Sequence, residues 1–142
     1  MNPFTFGVAI TRDGEDHVVT VRDLPQVVTS GSSLEEALAL AADAIEVTVA
    51  GLMDDDEILP VASTIQHGEH AVALPAGLAA KAAIYTAWKA SGIKKTELAR
   101  LLDRNEVEVR RILNPRHGTK IDQLDEAARA LGGRLLVSFE PA

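Results

Sequence analysis

The sequence predicts an α+β fold in two modules. A β-β-β-α-β unit covers residues 1–75, and a helical unit covers residues 76–142 and ends in a strand. Three observations predict it. Apolar residues alternate with period two near the start of the chain and later recur at helical spacing. Pro75 opens an alanine-rich stretch unlike what precedes it. Charge reverses at the same point. Thirteen carboxylates against Arg12 and Arg22 give residues 1–75 a net −11, whereas twelve Lys/Arg against eight carboxylates give residues 76–142 a net +4. An acidic module joined to a basic one implies partners of opposite sign.

Phe4, Phe6, Val8 and Ile10 alternate with Thr5, Gly7, Ala9 and Thr11, the pattern of a half-buried strand. Asp13-Gly14 supplies a hairpin turn, and residues 17–22 return with Val19 and Val21 on one face. Asp23-Leu24-Pro25 interrupts the ladder, because proline has no N–H to donate and restricts the residue before it. Residues 27–30 follow as a short third strand. Ser32 and Ser33 each have a glutamate three positions on, Glu35 or Glu36, so a capping box can start a helix in either register. Leu34, Leu38, Ala41, Ile45, Val49 and Leu52 form its apolar stripe. Asp54-Asp55-Asp56-Glu57 and Pro60 end it, and four carboxylates set against the helix dipole predict a frayed end. Residues 60–69 read as a loop and residues 70–74 as a fourth strand.

Beyond Pro75, residues 76–91 form a helix carrying Tyr85 and Trp88 and stopped by Gly92. Shorter helices follow over residues 96–102, 106–113 and 121–131. Leu135, Val137 and Phe139 then alternate with Leu136 and Ser138, giving a terminal strand over residues 134–140. There is no internal repeat and no low-complexity segment.

Composition removes several function classes. The 142 residues contain no cysteine, which excludes disulfides, thiolate metal sites and cysteine nucleophiles. Apolar residues at 46% and charged residues at 25% are the balance of a soluble globular chain, and 4% aromatics argue against base-stacking platforms. No apolar run is long enough for a membrane span, and a basic-then-apolar leader is missing, so a cytoplasmic protein is expected. No cofactor is expected either.

The most informative stretch lies in the basic half. Leu98, Leu102, Val109, Ile112 and Leu113 sit where two crossed helices need buried contacts, and Ala99 is small enough for the second helix to pass close. A three-residue turn separates the helices, with Asn105 suited to cap the second. This resembles a Cro/repressor-type helix-turn-helix, whose second helix lies in the major groove. That motif usually has glycine at the left-handed position of the turn; here Asp103 stands there, a residue type that tolerates positive φ better than most. Glu106 and Glu108 occupy base-reading positions. Glutamate accepts from cytosine N4 but repels phosphate. Lys94, Lys95, Arg104, Arg110, Arg111, Arg116 and Lys120 surround them and would neutralise phosphates, and Thr96 and Asn105 complete the expected DNA-contacting set. The competing reading is a helical packing domain with a solvated basic face.

The acidic half, with its strand, hairpin, Asp23-Leu24-Pro25 turn and Gly31-Ser32-Ser33-Leu34-Glu35-Glu36-Ala37-Leu38 helix start, resembles the HicB-type antitoxins. Gln26 replaces the glycine usual after the proline. The run from Val109 to Lys120 is similar to the helix-turn-helix branch of that family, and the matches together cover most of the chain. The resemblance implies a degraded ribonuclease-H-like N-terminal domain without activity. It implies that this domain binds HicA, a small basic ribonuclease, through Asp23, Leu24, Pro25, Glu35 and Glu36. It also implies that the C-terminal domain binds the operator of its own operon as a dimer. The charge division fits both partners.

Other readings compete with these. Ribonuclease-H chemistry needs carboxylates converging on a metal, yet no spacing forces Asp13, Asp16, Asp23, Asp43 and Glu46 together. His67-Gly68-Glu69-His70 lacks helical ligand spacing and a third ligand, and His17 reads as an edge residue. Tyr85 and Trp88 are expected in a core or a dimer interface. The terminal strand, apolar on both faces over residues 135–139, is the expected oligomerisation element, through Leu135, Val137 and Phe139. The alternative function is a stand-alone helix-turn-helix regulator whose front half senses a ligand or oligomerises.

Overall fold

In the computed structural model, which describes residues 2–142, the alternating segment becomes strand β1 (Thr5–Asp13), followed by β2 (Asp16–Val21). Gly14, at φ 63°, leads the two-residue turn between them. The register pairs Val8 with Val21 and Ile10 with Val19, and Phe6, Val8 and Val19 are fully buried. Strand β3 (Val28–Gly31) pairs with β2, and β4 (His70–Ala73) with β1, giving an antiparallel sheet of order β3-β2-β1-β4.

Helix α1 (Leu34–Asp54) packs on one face of this sheet, chiefly against β3 and β2. Its capping box uses the later of the two registers. Ser33 is the N-cap, its Oγ accepting from the Glu36 N–H at 3.1 Å, while the Glu36 carboxylate accepts from the Ser32 N–H at 3.2 Å. Such a cap is worth about 1 kcal/mol.

The buried stripe of α1 keeps Ala41, Ile45 and Val49 as expected but shifts at its ends. Ala37, Ala41, Ile45, Val49 and Met53 face the sheet, whereas Leu34 is 44% exposed. The cause is local. The backbone of Gly31 approaches α1 so closely that a Cβ there would lie 2.6 Å from the Ala37 nitrogen, so the helix rolls its small Ala37 onto the strand end and Leu34 moves to the rim. The frayed end is also corrected. The Asp55 N–H bonds the Gly51 carbonyl and the Glu57 N–H bonds the Leu52 carbonyl, with Asp56 left-handed at φ 55°. The loop that follows is pinned by buried Leu59 and Ala62. These backbone bonds offset the unfavourable carboxylate placement.

Contacts divide the chain into two compact units, one ending at Ala79 and one spanning Ala80–Ala142. Helix α2 (Ala76–Ser91) carries the division. Within the second unit lie α3 (Lys95–Leu102), α4 (Glu106–Leu113) and α5 (Ile121–Ala130), with α3 packed on both α4 and α5. Leu98, Val109, Ile112, Leu124 and Ala127 are among the buried residues of this arrangement. Tyr85 and Trp88 are buried too, their ring centroids 5.8 Å apart.

The expected strand over residues 134–140 is absent. Residues 133–142 form no regular element, and Leu136, Val137 and Phe139 are 79%, 81% and 90% exposed. A strand exists only if a neighbour satisfies its backbone groups, and among the described residues the second unit offers no strand to pair with. The start of the segment is tied, the Gly133 N–H bonding the Ala128 carbonyl at 2.9 Å and the Leu135 N–H donating to Asp125 Oδ1 at 3.1 Å. Among the described residues, no helix is long and apolar enough to cross a membrane.

Candidate functional site

The α3–α4 corner is built largely by residues the sequence singles out. Asp103 adopts φ 52°, ψ 46°, the left-handed position of the turn. The Arg104 N–H then bonds the Ala99 carbonyl at 2.9 Å and the Asp103 N–H the Arg100 carbonyl at 3.2 Å, closing α3 in a Schellman-type stop. Asn105 caps α4 as expected, its Oδ1 accepting from the Glu108 N–H at 2.9 Å. Leu98 and Ala99 on α3, and Val109, Ile112 and Leu113 on α4, are buried. This leaves Glu106, Val107, Arg110 and Arg111 on the outer side of α4.

The charges there are paired in a way the sequence does not announce. Arg110 Nη2 lies 2.7 Å from Glu106 Oε1. Arg104 Nη2 lies 2.8 Å from Glu126 Oε2 on α5, with its Nη1 4.0 Å from Glu108 Oε2. The Glu126 hydrogen bond, aided by the charges of Glu126 and Glu108, raises the Arg104 pKa further. By contrast, Arg111 and Lys120 have no carboxylate partner among the described residues. They line a cleft of about 240 Å³ with Arg104, Glu108, His117 and Thr119. Lys94 is the exposed N-cap of α3, Thr96 lies exposed on its first turn, and Arg116 is exposed beyond α4. Lys95 Nζ lies 5.5 Å from the Trp88 ring centroid, a cation–π distance.

Beneath α4 sits the residue that sequence reasoning missed. Lys81 on α2 is only 4% exposed. Its ammonium donates to the Arg111 carbonyl at 2.8 Å, the Ile112 carbonyl at 2.9 Å and Thr119 Oγ1 at 2.7 Å. It thus caps the C-terminus of α4, where carbonyls lack helical partners and the dipole favours a cation. Burial pushes its pKa down to about 8. The available signal was a lysine set between Ala79-Ala80 and Ala82-Ala83 in an apolar, alanine-rich helix.

On the first unit, the expected partner-contacting residues divide. Pro25 and Glu35 are exposed. Glu36 serves the α1 cap, and Asp23 accepts from the Ser63 N–H and Oγ at 2.9 Å. Leu24, by contrast, is 0% exposed and belongs to the core, held by the turn between β2 and β3, so it offers no side-chain surface to a partner. A polar clamp not foreseen from sequence holds the 57–69 loop. Arg22 reaches Glu69 Oε1 at 2.8 Å and Oε2 at 3.2 Å, contacts Ser63 Oγ, and bonds the Thr64 carbonyl at 2.9 Å. The Arg22 hydrogen bond holds the Glu69 carboxyl below its usual range.

Among the described residues, no three His, Asp or Glu side chains come together as a metal site. His17, expected as an edge residue, has a buried Nδ1 without a hydrogen-bond partner.

Comparison with known proteins gives the class. Residues 5–83 match the family model described as the HicB-like antitoxin of bacterial toxin–antitoxin systems. The chain is 33% identical over 119 residues to Antitoxin HicB of Escherichia coli K12, covering 84% of this chain and 86% of the relative. It is 35% identical over 130 residues to Antitoxin HicB 2 of Photorhabdus laumondii, covering 92% of each. Antitoxin HicB of Pseudomonas fluorescens is 31% identical over 140 residues, covering 98% of this chain and 96% of the relative. The protein is therefore an antitoxin of a toxin–antitoxin system. It belongs to the HicB-like family.

Proposed function

We propose that this antitoxin neutralises a small basic HicA-type ribonuclease through its acidic first unit and represses its own operon through a helix-turn-helix formed by α3 and α4. On this reading it works by binding, without catalysis or cofactor, as a cytoplasmic homodimer or higher oligomer.

The observation that carries it is the division of charge along a two-unit chain whose family is HicB-like. A net −11 on residues 1–75 favours a cationic protein partner, and exposed Pro25 and Glu35 offer contacts beside the anchored Asp23. The left-handed Asp103 turn supports the helix-turn-helix reading, as do the capped α4 and the outward Arg111, Lys120, Lys94 and Arg116. For the oligomer, the exposed apolar residues Leu136, Val137 and Phe139 of the tail support strand pairing with a second copy.

The test is co-expression with the small open reading frame adjoining its gene. A tag on this chain recovers the assembly, which light scattering weighs. The expected result is a stoichiometric complex with a basic protein that is toxic when expressed alone. A clean oligomer that ignores that protein would shift the reading to a stand-alone regulator.

A further inference from the structure

The acidic residues at the N-terminus of α4 have an unusual relation to the arginines around them. Glu106 and Glu108 occupy the first turn, where the dipole favours them, but on a groove-facing helix they meet phosphates of the same sign. Each is turned towards an arginine: Glu106 to Arg110 at 2.7 Å and Glu108 to Arg104 at 4.0 Å, with Glu126 completing the hold on Arg104 at 2.8 Å. Two cations that would otherwise strengthen any DNA contact are thus occupied within the protein.

We infer that Glu106 determines specificity by keeping Arg110 off the phosphate backbone until a base offers its carboxylate an amino donor, with Glu108 a second acceptor beside Arg104, which Glu126 holds. This rests on the helix-turn-helix reading and adds to it. An exposed ion pair is weak, but so is one non-specific phosphate contact in salt; the two are of the same order, so the ion pair sets the balance. On arbitrary sequence, freeing Arg110 for a phosphate leaves Glu106 unpaired near negative charge, and nothing is gained. At a site presenting cytosine N4 amines to α4, the glutamates accept from the bases and Arg110 turns to a phosphate at no loss, while Arg104 stays with Glu126. Arg111 and Lys120, which carry no such partner among the described residues, supply the sequence-independent attraction.

The experiment measures binding of the full-length protein to DNA from upstream of its own gene and to a duplex of scrambled sequence, across about 50–200 mM salt. The double variant Glu106→Gln with Glu108→Gln should bind the scrambled duplex about tenfold more tightly at low salt, with a log–log salt slope steeper by about one. Its preference for the upstream DNA should shrink accordingly. A control, Glu15→Gln with Glu46→Gln, changes net charge equally at exposed positions on the first unit. Unchanged scrambled-duplex affinity in the α4 variant, or an equal gain in the control, would overturn the inference while leaving DNA binding intact. If neither wild type nor variant binds either duplex, the helix-turn-helix reading fails and takes the inference with it. Circular dichroism and Trp88 fluorescence establish that the variants fold.

Discussion

Lys81 Nζ lies 2.8 Å from the carbonyl oxygen of Arg111, so a lysine buried on α2 holds the backbone of a residue whose guanidinium faces solvent on α4. The same ammonium reaches Thr119 in the segment leading to α5. One buried cation therefore fixes both the end of α4 and the chain that leaves it. Replacing it by an isosteric apolar side chain tests what that hold is worth. Lys81→Met leaves the Arg111 carbonyl a bond from the Asn114 N–H at 3.3 Å but deprives the Ile112 carbonyl of its side-chain donor. A loss of about 1–3 kcal/mol is expected. The chain has a single tryptophan, Trp88, in the second unit, so urea unfolding followed by its fluorescence reports the effect directly.

The same group makes stability depend on pH in a definite direction. Its folded pKa of about 8 lies below the ordinary 10.5, so between these values the unfolded chain binds more protons than the folded one. Stability contributed through Lys81 is lowest below pH 8 and rises as pH climbs through that window. Urea midpoints from about pH 7 to pH 10 should therefore climb more steeply in wild type than in Lys81→Met. Parallel profiles would contradict the assigned burial cost.

Two glycines of the first unit predict opposite signs. A Cβ on Gly31 would meet the Ala37 nitrogen at 2.6 Å and its Cα at 3.0 Å, and backbone cannot step aside as a side chain can. Gly31→Ala should cost about 1–3 kcal/mol, the range of overpacking. Gly51, inside α1, has nothing within 4 Å of its missing Cβ. Gly51→Ala should add about 0.5–1 kcal/mol through helix propensity. Far-UV circular dichroism melts of both variants check the pair.

These elements also mark what the sequence can and cannot tell. Asp103, Asn105 and Ser33 were legible because each acts on backbone within a few residues of itself, so residue type and position suffice. Ala37 replaced Leu34 on the buried face because the close approach of Gly31 depends on the helix meeting a strand already in place, which no periodicity records. Lys81 and the Arg22–Glu69 clamp join segments 30 and 47 residues apart, a distance over which spacing says nothing. The terminal segment failed for a different reason. Its alternation is real, but a strand is a property of two segments, and this unit supplies one.

If the tail pairs with the tail of a second copy, charges placed on it should abolish assembly without harming the fold, because Val137 and Phe139 touch little within the chain at 81% and 90% exposure. Val137→Asp with Phe139→Asp should give a monomer by light scattering, with an unchanged circular dichroism spectrum. An oligomer of undiminished size would move the interface elsewhere.

Arg110 and Arg111 adjoin on α4 yet should behave differently on DNA. Arg111 lines the cleft without a carboxylate partner among the described residues, whereas Arg110 is held by Glu106 at 2.7 Å. On a scrambled duplex, Arg111→Ala should reduce the log–log salt slope by about one, and Arg110→Ala should leave it almost unchanged. If the upstream DNA offers Glu106 a base amine, Arg110 is released there, and both substitutions should flatten the slope. On the proposed division of roles, neither should affect toxin binding, since both residues lie in the second unit. Equal losses from the two substitutions on scrambled DNA would show that the Glu106 ion pair holds nothing back.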